Sequence, residues 1–401
     1  MLAEAAELEH NILCTYLYAA FSLKREQSEG LTAAELAKVD SWRKALLSIC
    51  VEEMMHLAQV ANLMVAVGAR PHFNRPNFPV GKGYHPAAIE LALAPFDLDT
   101  LEHFIFLERP ERAPEHDAKP LGVEEGPERP APSSRALMPS SPDYETIGEF
   151  YAYIRQGIVD LSAAMGEQVM FCGPADYQMR GEELKSADLL VVRDLASATA
   201  AIDLIVVQGE GSPGHGEQSH YRRLSEIKQE YLQLQRERAE FLPHRPVARN
   251  PVMRAPHARD RVPVTAAGAR QLLDAANGAY AAMLATLGAV FDTGRTQERA
   301  VLIEGSLALM HTLGALSDRL TRLPASQQDA SVNAGVTFTM ARSTEGACPG
   351  ADGLALAGER LGNVLSHLQA LEKTADSTPE LTGELASAVS KLEAVRRTTT
   401  A

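Results

Sequence analysis

Glu53 and His56 stand three residues apart within Ile49-Cys50-Val51-Glu52-Glu53-Met54-Met55-His56-Leu57. The surrounding apolar residues Leu46, Ile49, Cys50, Leu57, Val60 and Met64 recur at helical spacing. Glu53 and His56 fall on that same stripe, and a separation of three lets both side chains aim at one point. A carboxylate on a buried face is costly unless it is paired or bound to a metal. Glu-x-x-His on a core-facing helix is the ligand pattern of half a two-metal carboxylate site. A single such pair also occurs as a half-exposed acid beside a core histidine.

A second Glu-x-x-His, Glu217 with His220, leads a second apolar stripe of Leu224, Ile227, Tyr231 and Leu234. Two such motifs are far less expected by chance than one. Glu9 sits in the apolar stripe of an N-terminal helix, beside Leu2, Ala5, Ile12, Leu13 and Tyr16. Glu149 lies on a third helix, off the stripe formed by Ile147, Phe150, Tyr151, Ile154 and Ile158, so periodicity alone makes it solvated. Together these residues supply the carboxylates and imidazoles of a two-metal bundle site. Four carboxylates and two neutral imidazoles balance two divalent cations, which removes most of the cost of burying the acids. Mixed oxygen and nitrogen ligation suits iron or manganese and also admits zinc. Tyr16 and Tyr153 read as core residues or as hydrogen-bond partners of the ligands.

The elements that must position these residues are helices. The first spans about Leu2 to Leu23. The second is announced by Thr32-Ala33-Ala34-Glu35, a capping box, and runs to about Val67, with Gly68 as its stop. The loop between them is short, so the two are antiparallel neighbours. The stretch from Arg70 to Pro79 is proline-rich and cannot be helix; Phe73 and Phe78 anchor it, while His72 and His85 read as structural or exposed. Residues 91–108 hold a short element and a helix. Residues 109–143 are rich in Pro, Glu and Ser and read as a long loop. A third bundle helix begins near Asp143. A further helix, from about Leu195 to Val207, ends at Gln208-Gly209-Glu210-Gly211, before the helix led by His220.

Proline-rich sequence from 241 to 263 reads as a linker. Helical patterns at 264–291, 297–323, 354–372 and 379–396 make a second, C-terminal helical domain that packs on the first or forms a homodimer contact. Glu304 and His311 there share a face, a pair that reads as structural. The fold class is therefore all-α: a four-helix bundle with long crossover loops, followed by a helical domain.

Bulk composition narrows the function. The chain has 401 residues and a formal net charge of −14, which argues against nucleic acid and anionic membranes as partners. Cys14, Cys50, Cys172 and Cys348 have no zinc-knuckle or disulfide spacing. Glu4, Glu7 and Glu9 break any leader-like run. No apolar run reads as long enough to cross a bilayer. Cytoplasm is the expected compartment.

Several stretches taken jointly carry a family resemblance. They are Leu8-Glu9-His10, Tyr16-Leu17-Tyr18-Ala19, Glu52-Glu53-Met54-Met55-His56, Arg70 to Pro79, Ile147-Gly148-Glu149-Phe150-Tyr151, Ala201 to Val206, Gln208-Gly209-Glu210-Gly211 and Ser219-His220-Tyr221. Over roughly the first 240 residues the chain resembles the ferritin-like domain of the iminophenyl-pyruvate dimer synthase group, whose enzymes act in violacein-type and bisindole pathways. The resemblance implies a ferritin-like bundle with metal ligands at Glu9, Glu53, His56, Glu149 and His220, and a further carboxylate from Glu210 or Glu217. The expected cofactor is two iron ions, with manganese or zinc as alternatives. The expected activity is a dioxygen-using oxidation of a small organic substrate, aromatic or amino-acid-derived. The alternatives are iron oxidation without an organic substrate and a metal-free helical scaffold.

Overall fold

A computed structural model describes residues 1–110 apart from 72, 82, 87 and 88, then 143–209, 218–254, 261–340 and 351–372, with Ala386, Ser390 and Glu393 beyond. Helix α1 (Leu2–Ser22) packs along α2 (Ala33–Ala66). Helix α3 (Leu98–Leu107) packs on α8 (His220–Glu237). Helix α4 (Ile147–Met165) packs on α7 (Leu195–Gly209). Two single-turn helices, α5 (Glu167–Met170) and α6 (Gly181–Leu184), lie in the connection between them. The C-terminal part holds α9 (Ala267–Val290), α10 (Thr296–Leu320) and α11 (Ala351–Glu372).

Helix α2 has 34 residues, so it is about 50 Å long at the α-helical rise. Its start is the expected reciprocal box: Glu35 N–H donates to Thr32 Oγ1 at 3.3 Å, and Thr32 N–H to Glu35 Oε2 at 2.7 Å. Its end is fixed by Gly68, whose φ of +77° is open to glycine at little cost. At Gly173 an added Cβ would stand 1.7 Å from Val65 O, so the chain there must lie directly on the last turn of α2.

Helix α1 is buried nearly all round, not on one stripe. The bundle covers one face and α10 touches another. The buried side chains form one continuous cluster from α1 through α10, so the C-terminal helices pack on the bundle. The proline-rich stretch between them is ordered where it is described. Pro251–Val252 pairs in parallel with Val262–Pro263. Arg245 joins the two parts, reaching Glu29 and Phe21 O on one side and Thr321 on the other.

Helix α10 differs from expectation: it is long and apolar enough to span a bilayer by length and composition, and just over half of its apolar window is buried inside the protein. Its Leu302, Leu309, Leu313, Leu316 and Leu320 are core residues, and it packs along α9. The segment from Arg70 to Pro79 is non-helical, with Phe73 and Phe78 buried as anchors. His85 is buried; His72 lies outside the described residues. So do residues 111–142, most of the expected long loop, and nearly all of the expected helix at 379–396.

Candidate metal centre

Glu53 stands at the middle of the site. Its Oε1 is 2.8 Å from His220 Nδ1, and its Oε2 is 3.4 Å from His56 Nδ1. Glu9 Oε2 lies 3.6 Å from His56 Nδ1. Glu108 Oε1 lies 3.4 Å from His220 Nδ1. The result is two groups, Glu9–Glu53–His56 and Glu53–Glu108–His220, each with donor atoms within 4.8 Å of one another. All five side chains are buried, and Glu53 belongs to both groups. The two imidazoles flank it nearly parallel, 5.6 Å apart between ring centres.

Each residue is placed by local packing. Glu53 and His56 are one turn apart on the buried face of α2. Glu9 comes from α1, which lies along that face. His220 opens α8, where Ser219 caps the helix by accepting from Arg222 N–H at 3.3 Å. The register of α8 is set further along. Tyr231 packs on Trp42 of α2 with ring centres 5.6 Å apart, and Trp42 Nε1–H donates to Glu230 at 2.7 Å. Glu108 closes α3 as its last half-helical residue. Phe104 of the same helix packs edge-on against Tyr16, 4.4 Å between ring centres, and Tyr16 Oη donates to Glu108 Oε1 at 2.6 Å.

The hydrogen bonds around the site fix the imidazole tautomers. His56 Nε2–H donates to Gln208 Oε1 at 2.9 Å, and His220 Nε2–H donates to Glu52 Oε2 at 3.0 Å. Glu52 is in turn held by Arg223. With both Nε2 atoms engaged as donors, it is Nδ1 of each ring that faces the carboxylates, protonated in the metal-free cluster and open as a lone pair once a cation displaces that proton. His220 Nδ1 is buried and has no hydrogen-bond partner, although it stands 2.8 Å from Glu53 Oε1. That orphaned nitrogen, three buried carboxylates and a second inward Nδ1 are the donor set that divalent iron, manganese or zinc accepts.

Electrostatics point the same way. Burial, then the charge of Glu53, pushes the Glu9 carboxyl up to about 8. Burial opposes ionisation of Glu53 as well, but His220 and His56 together hold it well below its usual range. His56 is raised to about 10: burial works against its charge, and Glu53 followed by Glu9 overcomes it. His220 is raised in the same way by Glu108 and Glu53 against its burial. The cluster therefore attracts positive charge into a dry interior, and a cation can take the place of the protons.

Of the expected ligands, the structure brings together Glu9, Glu53, His56 and His220. Glu149 is in neither group. It sits in the first turn of α4, where its carboxylate accepts from Glu145 N–H at 2.6 Å and from Tyr153 Oη at 2.7 Å. Its place off the apolar stripe agrees with these partners outside the two groups, and the helix is capped by Thr146, which accepts from Glu149 N–H at 3.1 Å. Tyr153 accordingly serves Glu149, while Tyr151, one turn along the same helix from Ile147, reaches the site and donates to Glu9 Oε1. Glu210 and Glu217 lie outside the described residues. Glu108 is the carboxylate that sequence reading missed. Its one signal is an acid ending the apolar run Phe104-Ile105-Phe106-Leu107, a pattern too common to single it out. Beside Glu9, Glu53, His56 and Glu108 lies a cavity of about 20 Å³, closed by Gly148 and Tyr151 of α4 and by Ile205, Val206 and Gly209 of α7.

Glutamates and histidines drawn from α1, α2, α3 and α8 of an all-helical chain define a class: helical bundles with a carboxylate–histidine site suited to two metal ions. A family model described as Ferritin-like matches residues 2–229. The chain belongs to the Ferritin-like family. It is similar to 2-imino-3-(indol-3-yl)propanoate dimerase of Chromobacterium violaceum, 30% identical over 348 residues, covering 80% of this chain and 31% of that protein. It is also similar to dichlorochromopyrrolate synthase of Lentzea aerocolonigenes, 27% identical over 326 residues, covering 71% of this chain and 30% of that one. Both relatives fall in the group that the sequence motifs resemble. The chain spans under a third of the length of either. A crystal structure of a ferritin-like protein from Caulobacter vibrioides superposes with a TM-score of 0.52 at 18% identity, over 84% of this chain and 96% of that one, and so shares the fold.

Proposed function

We propose that the chain is a di-iron oxidoreductase that uses dioxygen on a small aromatic, amino-acid-derived substrate. The observation that carries the proposal is Glu53, whose two oxygens face two separate imidazole nitrogens. Glu9, Glu53 and His56 would hold one ion; Glu53, Glu108 and His220 the other. Two reduced iron ions so held supply electrons for reducing dioxygen. The chain's own residues do the rest. Gln208 and Glu52 keep the imidazoles turned inward. Tyr151 donates a hydrogen bond to Glu9 and Tyr16 to Glu108, and burial beside those carboxylates pushes both phenols up, so they stay protonated and hold the carboxylates in place. Ile12, Ile205 and Val206 give the small cavity apolar walls, and it has room for a water-sized or diatomic molecule.

The substrate class is supported by the name of the Chromobacterium relative, an imino acid bearing an indole. The similarity to enzymes named as a dimerase and a synthase supports catalysis by this chain as well. The buried free thiols of Cys14 and Cys50 suit a reducing cytoplasm. The small volume beside the carboxylates favours a second reading, in which the centre oxidises iron and no organic substrate enters.

Anaerobic loading with ferrous iron followed by oxygen should give a ferric absorbance change, lost in Glu53→Ala and in His220→Ala. No change in iron-loaded wild type overturns the proposal. If the change appears but no imine of an aromatic amino acid is consumed in proportion to oxygen, the second reading holds.

A further inference from the structure

A second cavity, of about 130 Å³, lies between the bundle and the C-terminal helices. Its lining shares no residue with the pocket beside the carboxylates. Met54 and Met55 line it from α2, while Glu53 and His56 of the same helix belong to the other pocket. Leu284 and Leu287 of α9 and Ile303 and Met310 of α10 form the opposite wall.

We propose that this cavity is a binding site for one small, neutral, apolar molecule, of about the size of benzene or toluene. Volume sets the size: an engineered apolar cavity of about 150 Å³ stays dry and takes up benzene. The state of the polar atoms on the wall sets the chemistry. His10 Nδ1–H donates to Phe73 O at 2.8 Å, and Tyr280 Oη donates to His10 Nε2 at 2.6 Å while accepting from Arg75 Nε–H at 3.0 Å. Ser306 Oγ donates to Leu302 O at 3.0 Å. These groups spend their hydrogen bonds on the protein. A water placed in the cavity lacks the two to four polar partners it needs, and a charged ligand would lose its hydration without replacement. An apolar ring loses nothing and gains contact with the walls.

Two further features fit a binding site better than a packing fault. Five methionines line the cavity, Met54, Met55, Met179, Met283 and Met310, and their flexible, polarisable side chains adapt to ligands of differing shape. Leu307, also in the lining, is 40% exposed, which places part of the rim at the surface and gives a route of entry.

The experiment uses the full chain with toluene as probe and benzoate as the charged control, read by titration calorimetry and by thermal unfolding. Toluene should bind once per chain with Kd of about 0.1–1 mM and raise Tm, with benzoate at least tenfold weaker. Ser306→Phe fills the cavity from α10, away from the carboxylate site; toluene affinity should drop at least tenfold with Tm unchanged or higher. Leu284→Ala enlarges it, and 1-methylnaphthalene should then bind at least fivefold tighter than to wild type. No saturable toluene binding to wild type overturns the proposal, as does benzoate binding equally well. Unchanged toluene affinity in folded Ser306→Phe overturns it too. If Ser306→Phe does not fold, unchanged methylnaphthalene affinity in Leu284→Ala does so instead.

Discussion

Loading the centre with divalent ions should expel protons, and their number follows from the site. At pH 7 a Glu9 carboxyl with a pKa of about 8 is roughly nine-tenths protonated. His56, at about 10, carries a proton on both nitrogens, and His220, raised in the same direction, does so too. Coordination requires neutral imidazoles with an open Nδ1 and an ionised carboxylate. Glu9 and His56 are in contact and compete for protons, so the release on filling both groups should be about two to three protons per chain. The product of the two binding constants should then rise by about two to three decades per pH unit near neutrality. Calorimetric titration with manganese or zinc in two buffers of different ionisation enthalpy measures the release directly. Glu9→Gln should lower it by about one proton while His220 still contributes its own. Release below about half a proton, with two ions bound, would mean that the histidines are already neutral and that the electrostatic account of the site is wrong.

Four other outcomes are expected. Glu53→Gln should abolish binding of both ions by elemental analysis, Glu108→Gln should lose one, and Glu149→Gln should lose none; metal loss in the last would restore Glu149 as a ligand. Without metal, stability should fall as pH rises from 7 to 10, because Glu9 and His56 have folded values of about 8 and 10 against usual values of 4.5 and 6.5, and their contributions are lost through that range. Glu53 is shifted the other way and loses its contribution as pH falls below 4.5, so melting curves should show a maximum between the two limits and bound metal should flatten the alkaline fall. Tyr16→Phe should cost about 1.5–3 kcal/mol in urea denaturation, the range for a hydrogen bond to a charged group, and leave metal content unchanged. Trp42→Ala should cost about 3–5 kcal/mol; a loss under 1 kcal/mol would show that Tyr231 and Phe241 close over the gap.

The helices α1, α2, α4, α7 and α8, and four of the five residues that meet at the centre, are legible in the order of the amino acids alone. Thr32 and Glu35 announced α2 because a capping box is a local device, closed within one turn. Glu53 and His56 were legible because both fall on the apolar face of one helix. Leu224, Ile227 and Tyr231 showed which face of α8 is buried, and His220 is in phase with them. Glu9 was legible as an acid within a stripe.

Tertiary structure alone decided the rest. Glu108 caps a short helix, and nothing within that helix says that α3 lies against α8 with Tyr16 above it. Glu149 had the right neighbours in sequence, yet its backbone position in the first turn of α4 turned its carboxylate to Glu145 and Tyr153. The near-complete burial of α1 also depends on packing, because the C-terminal helices cover the side that periodicity leaves to solvent. Helix periodicity reports which residues face inward on one element. Which inward face meets which is a property of chain segments far apart in sequence, and it is there that Glu53 acquires two histidines instead of one.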